Sequence, residues 1–124
     1  MFSVEELREA ARAIASTRMK SEKAILKLKD GSAQQRLTAR GIAAYSLALQ
    51  FIARELCKPC EPITYTKDSL DQAMEAFAFA ATRVESILPK FTEGTPQYTL
   101  AVRRLRAFEI AVALIQLEQS GKDT

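Results

Sequence analysis

Histidine does not occur anywhere in this 124-residue sequence. Its absence removes the commonest general base, so neither a Ser-His-Asp nor a Cys-His arrangement can be built from this chain alone. It also removes the histidine ligands of zinc and di-iron sites, including the Glu-x-x-His pair of the helical carboxylate metalloproteins. Helical ribonucleases of the toxin type, which need an arginine followed closely by histidine, are excluded for the same reason. Glycine is scarce, with four residues at positions 31, 41, 94 and 121. They are too scattered to form a phosphate-cradling loop. The longest near-apolar runs, 42–53 and 107–117, are broken by polar residues and are shorter than a membrane span. The first residues, Met1-Phe2-Ser3-Val4-Glu5-Glu6, carry acids where a secretory signal needs positive charge. A cytoplasmic location is the expectation. No strand-like alternation has a convincing length, the one β-favouring run being the short 63–66.

What is present is helical periodicity. A chain of this length is expected to form one domain, 1–124. Its 48% hydrophobic and 27% charged residues suit an ordinary globular core. The pattern also echoes itself. Leu7, Ala10, Ala13 and Ile14 are matched by Leu70, Ala73, Ala76 and Phe77, and Arg36, Leu37, Ala39, Ile42 and Ala43 by Arg104, Leu105, Ala107, Ile110 and Ala111. The expected fold is an all-α, up-down-up-down four-helix bundle, readable as two repeated helical hairpins, with helices over about 3–29, 32–57, 68–88 and 95–119.

Local signals set those boundaries. Ser3 with Glu6 is a capping box, and Phe2 with Leu7 fits the hydrophobic staple. The first stripe runs Val4, Leu7, Ala11, Ile14, Ile25 and Leu28, with Arg18 on its seam, where pairing with an acid such as Glu85 or Glu109 is expected ahead of a place in an interface. Lys27 and Lys29 fall in the predicted last turn, and Asp30-Gly31 is the predicted stop. Ser32 and Gln35 read as a second capping box. Gly41 lies inside the second helix and suggests a close approach of two helices. Pro59 and Pro62 interrupt the chain at 58–67. Thr95 and Pro96 open the fourth helix, and Gly121 is expected to close it, with 121–124 frayed.

Three residue groups could carry chemistry. Cys57-Lys58-Pro59-Cys60 has the spacing of half a tetrahedral zinc site or of a dithiol. Cys57 and Cys60 could bind metal only if two subunits each supplied a pair. A thioredoxin-like role needs the motif at a helix start, whereas here it closes a helix, where the dipole disfavours a thiolate. Packing thiols are the commoner outcome. The acids Glu6 with Glu9, and Asp71 with Glu75, have the spacing of an all-α, metal-dependent nucleotide hydrolase, but acids at helix starts follow from the dipole alone. Net charge is +3 and the isoelectric point about 9.0. The excess lies in residues 1–62, with 11 Lys/Arg against 7 Asp/Glu, compared with 7 against 8 in residues 63–124. Lys20, Lys23, Lys27, Arg36 and Arg40, near Arg12, form a basic surface able to hold nucleic-acid phosphates, although no aromatics interleave with them. Arg103, Arg104 and Arg106 form a second basic cluster.

These readings favour a small non-enzymatic interaction or regulatory module that acts through apolar helix faces, without a cofactor and without a catalytic residue. The alternatives are a nucleic-acid-associated protein using the basic first helix, or a Cys-x-x-Cys metal or redox protein. The apolar breadth of helices 2 and 4 predicts a homodimer or other homo-oligomer, and a protein partner is favoured over nucleic acid or a membrane.

Overall fold

Four amphipathic segments with capped starts give four helices. The structure, a computed structural model, describes residues 2–57 and 62–122. It contains α1 (Val4–Ile25), α2 (Ala33–Leu56), α3 (Lys67–Ile87) and α4 (Pro96–Lys122), with a single 3-10 turn at Leu88–Lys90 that holds Pro89. Ser3 caps α1 reciprocally: its hydroxyl accepts the Glu6 N–H, and the Glu6 carboxylate accepts the Ser3 N–H, both at 3.0 Å. Thr95 caps α4 ahead of Pro96, its hydroxyl accepting the Tyr98 N–H at 3.3 Å.

Each helix packs beside the next in sequence. α1 also packs on α4, which closes the ring, and α2 touches α4 across the bundle. Two polar contacts fix directions. Arg54 and Glu118 join the last turns of α2 and α4, and Gln119 donates to Asp71 at 3.0 Å, joining the end of α4 to the start of α3. The result is an up-down-up-down four-helix bundle. Its centre is built on aromatic rings. Tyr45 meets Phe77 edge-on at 5.6 Å and stacks on Phe108 at 6.3 Å, while Phe77 and Phe108 lie 5.6 Å apart. Phe51, Phe77, Ile14, Ile52, Leu70, Ile110 and Ile115 are fully buried around them. Burial of each such side chain contributes roughly 1.5–3 kcal/mol.

Several sequence expectations need correction. α1 ends at Ile25 rather than about 29, so Lys27 and Lys29 lie beyond it. The chain leaves through i→i−3 bonds, Lys27 N–H to Ala24 O at 3.0 Å and Leu28 N–H to Ile25 O at 3.2 Å. No α1 side chain after Ile14 is buried, and helix length depends on tertiary packing more than on propensity. Ser32 caps α2, but the box is not reciprocal: Gln35 Oε1 accepts from the Gly31 N–H at 2.6 Å, because the Ser32 N–H is already bonded to Lys29 O. Gly31, at φ 78°, makes the left-handed turn of this connection instead of capping α1. The nearest neighbour of Gly41 is in its own helix. A β-carbon there would meet the ring of Tyr45, one turn on in the same helix, at 3.6–3.8 Å. Helix α4 runs through Gly121 to Lys122, and residues 123–124 lie outside the described residues.

The breadth of α2 is used inside the bundle: Ala44, Tyr45, Leu47, Ala48, Phe51 and Ile52 are all buried. The core stops there. Between Ile14 on α1 and Ala44 on α2 lie residues 15–43, and none of them is buried. The α1–α2 hairpin therefore runs on past the core as an outlying tip.

Candidate functional site

The hairpin tip gathers most of the sequence-predicted basic residues. Residues 15–43 carry seven Lys/Arg (Arg18, Lys20, Lys23, Lys27, Lys29, Arg36, Arg40) and two acids (Glu22, Asp30). Lys20, Lys23, Lys27, Arg36 and Arg40 are all exposed. Arg36 donates to the Gly31 carbonyl at 2.9 Å, which holds it across the turn. Arg18 is corrected: it reaches Glu22 at 3.8 Å and Ser46 at 3.5 Å, not Glu85 or Glu109. Lys20, Lys23, Lys27 and Lys29 have no ion-pair partner among the described residues. Interleaved with these charges are exposed apolar side chains, of which the sequence pattern singles out Leu37 alone. Leu26 is 85% exposed, Met19 57% and Leu37 47%. Leu26 is out of phase with Ile25 and Leu28, and that offset is the sequence signal that marks it.

The second basic cluster does not act as one surface. Arg106 is held by Glu6 at 2.6 Å and Glu109 at 3.1 Å. These contacts raise the Arg106 pKa, with the Glu6 hydrogen bond the main cause. The Glu6 pKa is lowered, first by the Ser3 N–H and then by Arg106. Arg103 is exposed beside α1. Arg104 is different: its Nε and Nη2 are buried without a hydrogen-bond partner.

The acid pairs do not converge. Glu6 is engaged by Ser3 and Arg106, and Asp71 accepts from Gln119. Among the described residues no three His, Cys, Asp or Glu side chains group as metal ligands. Cys57 is the exposed C-cap residue of α2, and Cys60 lies outside the described residues.

Two of the concave surfaces among the described residues lie beside exposed apolar and charged side chains. Between α3 and α4 runs a groove of about 560 Å³ with an apolar floor, including Met74, Ala81, Leu88, Leu105 and Val112, and with Glu85 and Glu109 at its edge. Between α2 and α3, at the base of the tip, is a smaller cleft of about 270 Å³, lined by Arg40, Gly41, Tyr45, Glu75, Phe79 and Arg83 among others. The Tyr45 phenol is pushed above its ordinary range by burial, against the opposing charges of Arg83 and Arg104. Phe79 is half exposed in the wall of this cleft, with the Arg83 guanidinium 5.9 Å above its ring. The sequence reading missed Phe79, which falls between Phe77 and Ala80 and off the buried stripe.

No helix of the described residues is long and apolar enough to cross a membrane. No protein-family model matches the chain, and no curated protein or solved structure is significantly similar to it.

Proposed function

We propose that this protein is a non-catalytic interaction module whose working surface is the α1–α2 tip. The observation that carries this reading is the composition of 15–43. A hairpin with no buried side chain displays seven cations over two acids, together with the exposed Met19, Leu26 and Leu37. Apolar side chains on a basic ground suit an acidic protein surface with an apolar centre, because the charges steer encounter and the apolar groups supply contact. The same tip contains no aromatic residue, which argues against base stacking as its mode.

The test is a titration of the whole protein with an acidic, leucine-rich helical peptide, followed by NMR shifts, with a DNA duplex as the comparison ligand. Leu26→Ser combined with Met19→Ser is expected to weaken the peptide at least tenfold, as is Lys23→Gln combined with Lys27→Gln. If only the lysine changes matter, and the duplex binds more tightly than the peptide, the protein reading is wrong and nucleic acid takes its place.

A second copy of the chain offers one matching surface, the α3–α4 groove with Glu85 and Glu109 at its edge. Tip-to-groove docking would be a head-to-tail contact, which builds rings or open chains instead of a two-fold dimer. Sedimentation at low and high salt tests it. Self-association that is lost on Glu109→Lys supports this contact, and a single monomeric species at every concentration rules it out.

A further inference from the structure

We propose that the groove between α3 and α4 is a binding site for a small organic cation, a protonated amine with its head at Glu85 and Glu109 and its apolar body on Ala81, Leu105 and Val112. The groove follows from the order of side chains on α3. Met74 and Leu88 stand at its ends, and Ala78 and Ala81 lie between them. Residues three and four apart share one face of a helix. Two alanines in the middle of that face leave a hollow, and α4 supplies the other wall with Leu105, Glu109 and Val112. Met74, Ala81, Leu88, Leu105 and Val112 each pack on the buried cluster on one side and remain partly accessible on the other. The hollow measures about 560 Å³, within the span of roughly 300–1,000 Å³ that small-molecule sites occupy. The space between helices of a bundle is also a common setting for such sites.

Charge selects among apolar ligands. Glu85 and Glu109 are the charged residues of the lining, one from each wall, and no lysine or arginine lines the groove among the described residues. Glu85 has no ion-pair partner among those residues. Glu109 receives Arg106 through one carboxylate oxygen, at 3.1 Å. A neutral ligand would leave Glu85 without a countercharge, and a carboxylate would face two groups of its own sign. A protonated amine supplies the missing charge. Both carboxylates are exposed, so the ion pair is weak by itself. The apolar body therefore provides most of the affinity, and the head group provides the selectivity. This site is separate from the tip, since no residue of 15–43 lines it. The tip of a second copy, which carries both cations and apolar side chains, is the competing occupant.

The experiment is an NMR titration of the whole protein with octylammonium, octanol and octanoate, three probes that share one chain and differ in the charge of the head. Octylammonium is expected to bind at one site, at least fivefold more tightly than octanol and more tightly still than octanoate. The largest amide shifts are expected over 74–88 and 105–112. Glu85→Lys, at an exposed position, is expected to weaken octylammonium at least tenfold and to make octanoate the better ligand. Ala78→Phe, also exposed, fills the hollow and is expected to weaken all three probes, with the melting temperature of each variant checking the fold. Lys23→Gln, on the tip, leaves octylammonium binding unchanged, so the tip reading stands or fails separately. The proposal is overturned by equal binding of the three probes, by octanoate binding best to the wild type, by Glu85→Lys without effect, by shifts centred elsewhere, or by no binding. No binding, together with self-association that is lost on Glu109→Lys, gives the groove to a second copy of the chain.

Discussion

The phenol of Tyr65 donates to Glu118, whose carboxylate also receives Arg54 Nη2 at 2.6 Å and Nη1 at 3.3 Å. Arg54 in turn lies 5.0 Å above the ring of Phe51, and Phe51 meets Tyr65 edge-on at 5.6 Å. Four side chains thus tie the segment before α3 to the ends of α2 and α4. Burial, and then the hydrogen bond to Glu118, push the Tyr65 pKa from 10.0 up to about 12. The folded state therefore holds this proton more tightly than the unfolded chain. The resulting stability is fully present below pH 10.0, falls as the pH rises toward about 12, and is gone above it. Tyr65→Phe is expected to remove the latest step from an ultraviolet phenol titration and to flatten the alkaline loss of stability. A titration with its latest step unchanged would disprove the assignment. Nothing in the periodicity points to Tyr65 or Glu118. Contacts between a loop and a helix end carry no repeat by which to read them.

Among the elements, the beginnings of helices were far more legible than their ends. Ser3 and Glu6 spell a capping box, and the structure holds it. The sequence predicts a start for α3 at about 68, whereas Thr66 is the cap, with its hydroxyl accepting the Ser69 N–H at 3.0 Å and Ser69 Oγ accepting the Thr66 N–H at 2.8 Å. Serine at the third helical position does the work that glutamate or glutamine does in the usual box, so the pattern was missed. Thr66→Ala is expected to cost about 1 kcal/mol, the normal loss for a hydroxyl cap. Thr64→Ala, at an exposed position two residues earlier, should change stability by less than about 0.5 kcal/mol. Equal denaturant midpoints for the two variants would show that the cap is unimportant. Ends were harder because they depend on what a helix packs against. The stripe predicts that α1 continues to Leu28, yet nothing buried lies beyond Ile14 to hold the last turn.

For the whole molecule, the sequence reported faces but not depth. Its echo pairs Leu7, Ala10 and Ile14 with Leu70, Ala73 and Phe77, and all six are buried. It also pairs Leu37 and Ala43 with Leu105 and Ala111, and there the environments part: Leu37 and Ala43 are exposed, Leu105 is half-buried and Ala111 is fully buried. A period of 3.6 residues shows which side of a helix turns inward. It cannot show how far along its axis the core extends. Charge follows the same division, since residues 15–43 hold seven Lys/Arg against two acids and the rest of the chain eleven against thirteen. The tip is thus separable from the core in both packing and charge. Deleting 19–25 from α1 and 33–39 from α2 removes two turns from each and rotates the faces by only about 20°. The shortened protein is expected to melt cooperatively, within about 5 °C of wild type, which corresponds to roughly 1 kcal/mol for a domain near this size. It should also lose binding to the acidic peptide, while its far-ultraviolet circular dichroism retains a helical bundle. A shortened chain that melts without cooperativity would show that the half-buried Ile25, Leu28 and Ile42 support the core. The tip would then be part of the fold, and its exposure would no longer mark it as a surface built for a partner.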